Sequence, residues 1–203
     1  MRMLTAIAAA ALLAGCAPTD SATRAGSAVR IETPTGLGSG VYIGNGVIIT
    51  AAHVVDTAPV VTLRSDAGDE QRGEVLWTNK QYDIAAVRPA NSRRFAYAQL
   101  QCREPVVGEQ LTAAGNPFGL KFITMHGYVA AKATEYAPKW KTAFVTDISM
   151  ASGMSGGPAY DADGGVIGIN VGVADPHGGA QGATSGFAFV VPSSAVCSLL
   201  GRA

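Results

Sequence analysis

The chain is short of charge, histidine, cysteine and long apolar runs, and each shortage narrows what it can be. Lys and Arg number 15 against 15 Asp and Glu in 203 residues. The cations form no cluster, so a phosphate backbone would find nothing against which to release its counterions. No nucleic-acid partner is expected. The three histidines, His53, His126 and His177, show no metal-like spacing, and neither a metal nor a cofactor is expected. His126 and His177 read as solvent-exposed loop residues. Beyond residue 15, no apolar run approaches the roughly 20 residues of a membrane-spanning helix, and no internal repeat is visible. What the chain has in plenty is glycine, 25 residues, within a composition that is 48% apolar and rich in short Val and Ile runs. Such a composition builds a domain-sized core from many short strands rather than from long helices.

Strands are expected at about 28–32, 38–43, 47–50, 59–64, 72–77 and 84–88, with Asn45-Gly46 as a strong hairpin signal between two of them. A connection rich in Pro and polar residues follows, and strands resume at about 110–114, 121–131, 142–148, 158–160, 165–171 and 186–191. PSSAVCSLL then reads as a short terminal helix over about 192–200. Two six-stranded antiparallel barrels, at about 28–100 and 105–191, fit this order better than a βαβ series. The fold class is all-β.

Ser155 lies in GMSGG, a G-x-S-x-G pattern shared by α/β-hydrolases and trypsin-like proteases. Pro158 and the turn residues 161–165 oppose a helix after the serine, and the one later histidine sits in a glycine-rich loop, so a strand-to-helix elbow does not fit. Upstream, VIITAAHVVD places His53 after an apolar strand, and QYDIAAVR places Asp83 at a strand start. The order His53, Asp83, Ser155 is the chymotrypsin-like order of a serine nucleophile, its base and the acid that orients the base. Three readings stay open on these residues: a serine protease, a catalytically inactive binding module of the same fold, and an esterase-like hydrolase.

The stretches GSGVYIGNGVIITAAHVV, YDIAAVR, AAGNPFGL, SGMSGGPAYDADGGVIGIN and SGFAFVVPSSAV resemble, in order and spacing, the protease domain of the HtrA-type (Deg) trypsin-like serine proteases. The resemblance covers about residues 36–197. It implies a double barrel, a His53-Asp83-Ser155 triad, and an oxyanion hole formed by the backbone N–H groups of Gly153 and Ser155. Met154 stands where the family has asparagine. PDZ domains, frequent after the protease domain in that family, are not carried over, because the resemblance stops at about residue 197. Aligned with the family's pocket for the side chain preceding the cleaved bond are Ser149 at the floor, Met150, Asn170, Val171, Gly172, Gly186 and Ala188. With no aspartate at the floor, a small or medium aliphatic side chain is expected there. Polypeptides are the implied substrates, while the natural substrate and the oligomeric state stay open.

At the N-terminus, MRMLTAIAAAALLAGC has a basic start, a short apolar stretch and small residues before Cys16, the pattern of a signal peptide over 1–15. Leu13 to Cys16 resembles the lipobox of bacterial lipoproteins, which implies lipid attachment at Cys16, a flexible tether over 16–27 and export to the cell envelope. In a Gram-negative cell that would be the outer membrane facing the periplasm. An ordinary signal peptide with an incidental cysteine is the alternative. Two cysteines then remain. In trypsin-like folds the terminal helix packs near the inter-barrel connection, so Cys102 and Cys197 are either a disulfide or two buried thiols.

Overall fold

A computed structural model describes residues 26–174 and 186–202. The first barrel closes in the order β1-β2-β3-β6-β5-β4, from β1 (Ala28–Thr33), β2 (Gly36–Tyr42), β3 (Ile48–Thr50), β4 (Val60–Arg64), β5 (Glu70–Asn79) and β6 (Ile84–Pro89). The second closes as β10-β11-β12-β9-β8-β7, from β7 (Gln110–Gly115), β8 (Ile123–Tyr136), β9 (Trp140–Thr146), β10 (Pro158–Tyr160), β11 (Val166–Val173) and β12 (Ala188–Pro192). A single helical turn, α1 (Ala52–Val55), follows β3, and α2 (Ser193–Leu199) follows β12. Among the described residues no helix is long and apolar enough to cross a membrane.

Strand alternation decides where the cores lie. On β6, Ala85 and Val87 turn into the first barrel's own core with Ile48, while Ile84 and Ala86 on the opposite face join Ile49 in a separate cluster. That second cluster also holds Ala114, Trp140, Tyr160, Ile169 and Val191 of the second barrel. Both faces of these central strands are therefore buried, and the barrels are joined by apolar contact across a shared layer. The second barrel is filled by Leu111, Val129, Phe144, Met154, Ile167 and Val190. The β2–β3 hairpin turns with Asn45 at φ 52 and Gly46 at φ 72, the paired positive values that favour this dipeptide in tight hairpins.

All twelve expected strands form, with altered bounds. β5 extends to Asn79 through a register shift between Val75 and Trp77, and β8 runs on to Tyr136 through three such shifts, because bulges let a strand bend around a barrel without ending. β9 starts earlier, at Trp140, and stops at Thr146. His126 is a correction to the expected loop: it lies on β8, exposed, with its Nδ1 3.0 Å from Thr112 Oγ1. Ser27 is buried with its Oγ 2.6 Å from the Tyr160 hydroxyl, and its carbonyl accepts from Tyr42 N–H. Cys16, the expected signal segment and His177 lie outside the described residues. Cys102 and Cys197 are joined by a disulfide, Cα atoms 5.5 Å apart, which ties α2 to the connection between the barrels.

Candidate active site

His53 and Asp83 meet because two local structures aim them at each other. α1 begins directly after β3 and lifts the imidazole to the rim of the first barrel, leaving its side chain 49% exposed. Asp83 ends the turn before β6 in the left-handed region, φ 55, a conformation that costs a non-glycine residue about 1–2 kcal/mol. Its carbonyl accepts from Ala52 N–H at 3.0 Å, which locks that turn against α1. The carboxylate, in a residue only 8% exposed, then receives two bonds from His53: backbone N–H to Oδ1 at 2.9 Å and Nδ1 to Oδ2 at 2.7 Å. An imidazole held by a carboxylate at Nδ1 carries its proton there and presents Nε2 as a base.

The loop carrying Ser155 consists of two successive tight turns. Met154 N–H donates to Ala151 O and Gly157 N–H to Met154 O, both at 3.0 Å, with Gly153 (φ 100) and Gly156 (φ 82) in third position. Turns of this type require positive φ at that position, which explains the glycine spacing around the serine. In such a turn the central peptide is reversed. Ser152 O accordingly faces Phe118 N–H at 2.9 Å, and the N–H of Gly153 is turned the other way. Among the described residues, neither Gly153 N–H nor Ser155 N–H donates to a protein group. Two unspent donors next to a half-buried hydroxyl are what a developing oxyanion needs.

The first barrel fixes this loop. Ser39, fully buried on β2, donates its hydroxyl to Gly153 O at 2.7 Å and its N–H to Ser155 O at 2.8 Å, and its Oγ accepts from both nitrogens of Asn116 at 3.0 Å. A Cβ on Gly156 would overlap Ser39 O and Thr50 Oγ1, and one on Gly157 would overlap Ala114 O. Sequence reasoning missed Ser39, Asn116 and Phe118; the glycines flanking Ser39 and the Asn-Pro of AAGNPFGL were the available signals.

Three clefts converge here. One of about 290 Å³ is lined by His53, Ser155, Met150, Asn170, Val171 and Gly172 among others, so it brings together four of the expected pocket residues with Ser155 and His53. It does not include Ser149, Gly186 or Ala188: Ser149 is exposed, and Ala188 is buried in the second barrel's core. Asn170 serves the loop more than the cleft, since its backbone exchanges bonds with Gly156 and Gly157 and its Nδ2 donates to Pro158 O at 3.4 Å. A larger cleft, about 520 Å³, continues past His53 and Asp83 to Trp140, Lys80 and Lys139. The third, about 230 Å³, leaves Ser155 in the other direction between Thr33–Leu37 and Gly153. No hydrogen bond joins His53 to Ser155, although both line two of these clefts. Among the described residues no three His, Cys, Asp or Glu side chains gather as metal ligands.

The family model described as trypsin-like peptidase domain matches residues 38–169. A relative named "Probable periplasmic serine endoprotease DegP-like", from Brucella suis biovar 1 (strain 1330), is 35% identical over 167 residues, 80% of this chain and 32% of its own. The "Periplasmic serine endoprotease DegP" of Salmonella typhimurium (strain LT2) is 32% identical over 168 residues, 80% of this chain and 34% of its own. The chain thus spans about a third of the length of the curated relatives it matches. Among solved structures, an HtrA-type protease AlgW with a tripeptide superposes with a TM-score of 0.79 at 22% identity, covering 89% of this chain and 62% of that one, a likeness of fold.

Proposed function

Because this chain belongs to the trypsin-like peptidase domain family, we propose that it is a serine endopeptidase of HtrA type with Ser155 as nucleophile. The observation that carries the reading is the 2.7 Å contact of His53 Nδ1 with buried Asp83, on a histidine that shares its clefts with Ser155. His53 Nε2 takes the hydroxyl proton as Ser155 Oγ bonds to the substrate carbonyl carbon, and Asp83 stabilises the imidazolium so formed. The carbonyl oxygen becomes an anion facing the N–H groups of Gly153 and Ser155, each donor being worth roughly 3–4 kcal/mol in such a hole. As the C–N bond breaks, the imidazolium returns its proton to the amine, leaving an acyl-enzyme. Water, deprotonated by the same imidazole, releases the acid.

The substrate strand is supplied with an edge. β11 pairs with β10 only as far as Ile169, while Gly172 and Val173 pair with β12 on the other side, so Val171–Val173 presents backbone groups along the clefts. An extended peptide adding there would leave past Ser155 between Gly153 and Leu37. Met150 and Val171 make the wall nearest the nucleophile apolar, which supports cleavage after small or medium aliphatic residues. A peptide library dominated by cuts after Arg, Lys, Asp or Glu would overturn that preference. Exported polypeptides are the proposed substrates, with the chain lipid-anchored through Cys16 in the cell envelope; mass spectrometry of an unacylated mature N-terminus would remove the anchor.

The absence of a His53–Ser155 hydrogen bond favours one second reading, an inactive binding module, although such bonds are often long before substrate arrives. A fluorophosphonate probe decides between them. It should label the purified chain at Ser155 and not the Ser155→Ala variant, with casein turnover lost in parallel; no labelling of the native chain would leave the binding module.

A further inference from the structure

We propose that Trp140 is a positioning residue for the His53–Asp83 pair and links that pair to the occupied substrate cleft. The proposal rests on the peptidase reading above. Asp83 Oδ2 accepts two bonds, from His53 Nδ1 at 2.7 Å and from Trp140 Nε1 at 3.4 Å. With the bond from His53 N–H to Oδ1, these are the carboxylate's partners among the described residues. His53 and Asp83 belong to the first barrel, and Trp140, 57 residues beyond Asp83, begins β9 of the second. The indole N–H is therefore the one side-chain donor that reaches the carboxylate from the opposite barrel, among the described residues.

The ring is held so that this reach is fixed. Trp140 is 8% exposed, and the Phe189 ring lies 4.8 Å from it, centre to centre. Position 172 carries no side chain where the ring passes: a Cβ on Gly172 would stand 2.9 Å from its Cη2 and Cζ2 atoms. The remaining surface of Trp140 lines the 520 Å³ cleft together with His53, Asp83, Val171, Gly172 and Val173. A peptide laid along Val171–Val173 covers that surface and braces the ring. The bond is already buried, so it is a charge-assisted one in a low dielectric, and a ring braced from the cleft side keeps its N–H on the carboxylate. Extended substrates then orient the imidazole better than truncated ones do, through a residue that never touches the scissile bond.

Trp140→Phe keeps an aromatic ring against Phe189 and removes the N–H. In a Ser155→Ala background, where no turnover intervenes, the low-field proton resonance of His53 Nδ1–H is expected to shift and to broaden through faster exchange with water. Phe189→Leu, which loosens the packing but keeps the N–H, should move it much less. In the active chain, kcat on an extended peptide should fall about tenfold with KM changed less than twofold, while a dipeptide ester loses little. Should Trp140→Phe not fold, Gly172→Ala, whose methyl displaces the ring, carries the same resonance measurement. An unmoved resonance, or an equal shift in Phe189→Leu, overturns the proposal. A shifted resonance in a chain that no fluorophosphonate labels would instead leave the positioning role standing and remove the peptidase reading.

Discussion

Ser39→Ala tests how the first barrel controls the proposed nucleophile, Ser155. The side chain is fully buried and its Oγ makes three bonds: one donated to Gly153 O at 2.7 Å, and two accepted from Asn116 N and Nδ2 at 3.0 Å. Losing the hydroxyl does not strip all three partners equally. Asn116 N–H and Gly153 O already face each other at 3.4 Å and can close on one another. Asn116 Nδ2, in a side chain that is likewise fully buried, keeps a hydrogen with nowhere to go. At about 1 kcal/mol for each net bond and about 1–3 kcal/mol for a stranded buried donor, the loss comes to about 3 kcal/mol. β2 stays paired on both sides, so the deficit falls first on the loops 115–118 and 152–157. If the deficit is felt at the loops, kcat/KM falls about a hundredfold, because each 1.4 kcal/mol is a factor of ten. If it is felt by the whole fold, the melting midpoint drops by about 6–12 °C. Fluorophosphonate labelling rates and calorimetry on the same preparations separate the two. A Ser39→Ala chain that both labels and melts like the native one would refute the reasoning.

Other variants probe the anchors of the same architecture. Reducing the Cys102–Cys197 disulfide, which spans 95 residues, should lower stability by up to about 4.7 kcal/mol from released chain entropy, read as a lower midpoint in calorimetry with reductant; ready alkylation of both thiols without reductant would refute the bond. The Glu109 carboxyl is held below its usual range chiefly by the hydrogen bond from Arg103, against burial and with help from Val106 N–H. A carboxylate lowered by folding stabilises the fold above its unfolded value of about 4.3 and loses that contribution as pH falls through the folded value. Glu109→Gln should therefore be less stable than native at neutral pH, and urea titrations should show the gap closing in acid; a gap independent of pH would contradict this. Phe118→Pro removes the N–H that holds Ser152 O and cannot adopt φ 52, so probe labelling should collapse, whereas Phe118→Gly keeps the donor, suits the φ and should label at the native rate or faster.

The strands were legible because each carries its own signal. Alternation on β1, the unbroken apolar run of β6, the Asn45-Gly46 turn and the Pro and Gly breaks are local, and a closed barrel adds little that local pattern does not state. The bounds that slipped, on β5 and β8, did so at bulges, where one extra residue breaks period-two alternation without ending the pairing. His126 read as a loop residue although it falls inside the strand expected over 121–131; in the structure it pairs in regular register with Thr112.

The candidate site divides along the same line. His53, Asp83 and Ser155 stand out since each sits near a strand end, and the glycines at 153 and 156 are needed by turns whose third residue has positive φ. Ser39, beyond its two flanking glycines, and Trp140 carry no such mark. Each acts across the gap between barrels, at separations of 114 and 57 residues, through one hydroxyl or one indole N–H that in sequence is indistinguishable from any buried serine or tryptophan. Their importance comes from what the shared apolar layer brings opposite them. Gly172 is the nearest thing to a written trace, a missing side chain at the place where the Trp140 ring passes. Its meaning depends on a contact between strands β9 and β11 that no local pattern encodes. A site built at the seam of two barrels is thus half local and half topological, and the half that tunes it is the one that only the assembled fold reveals.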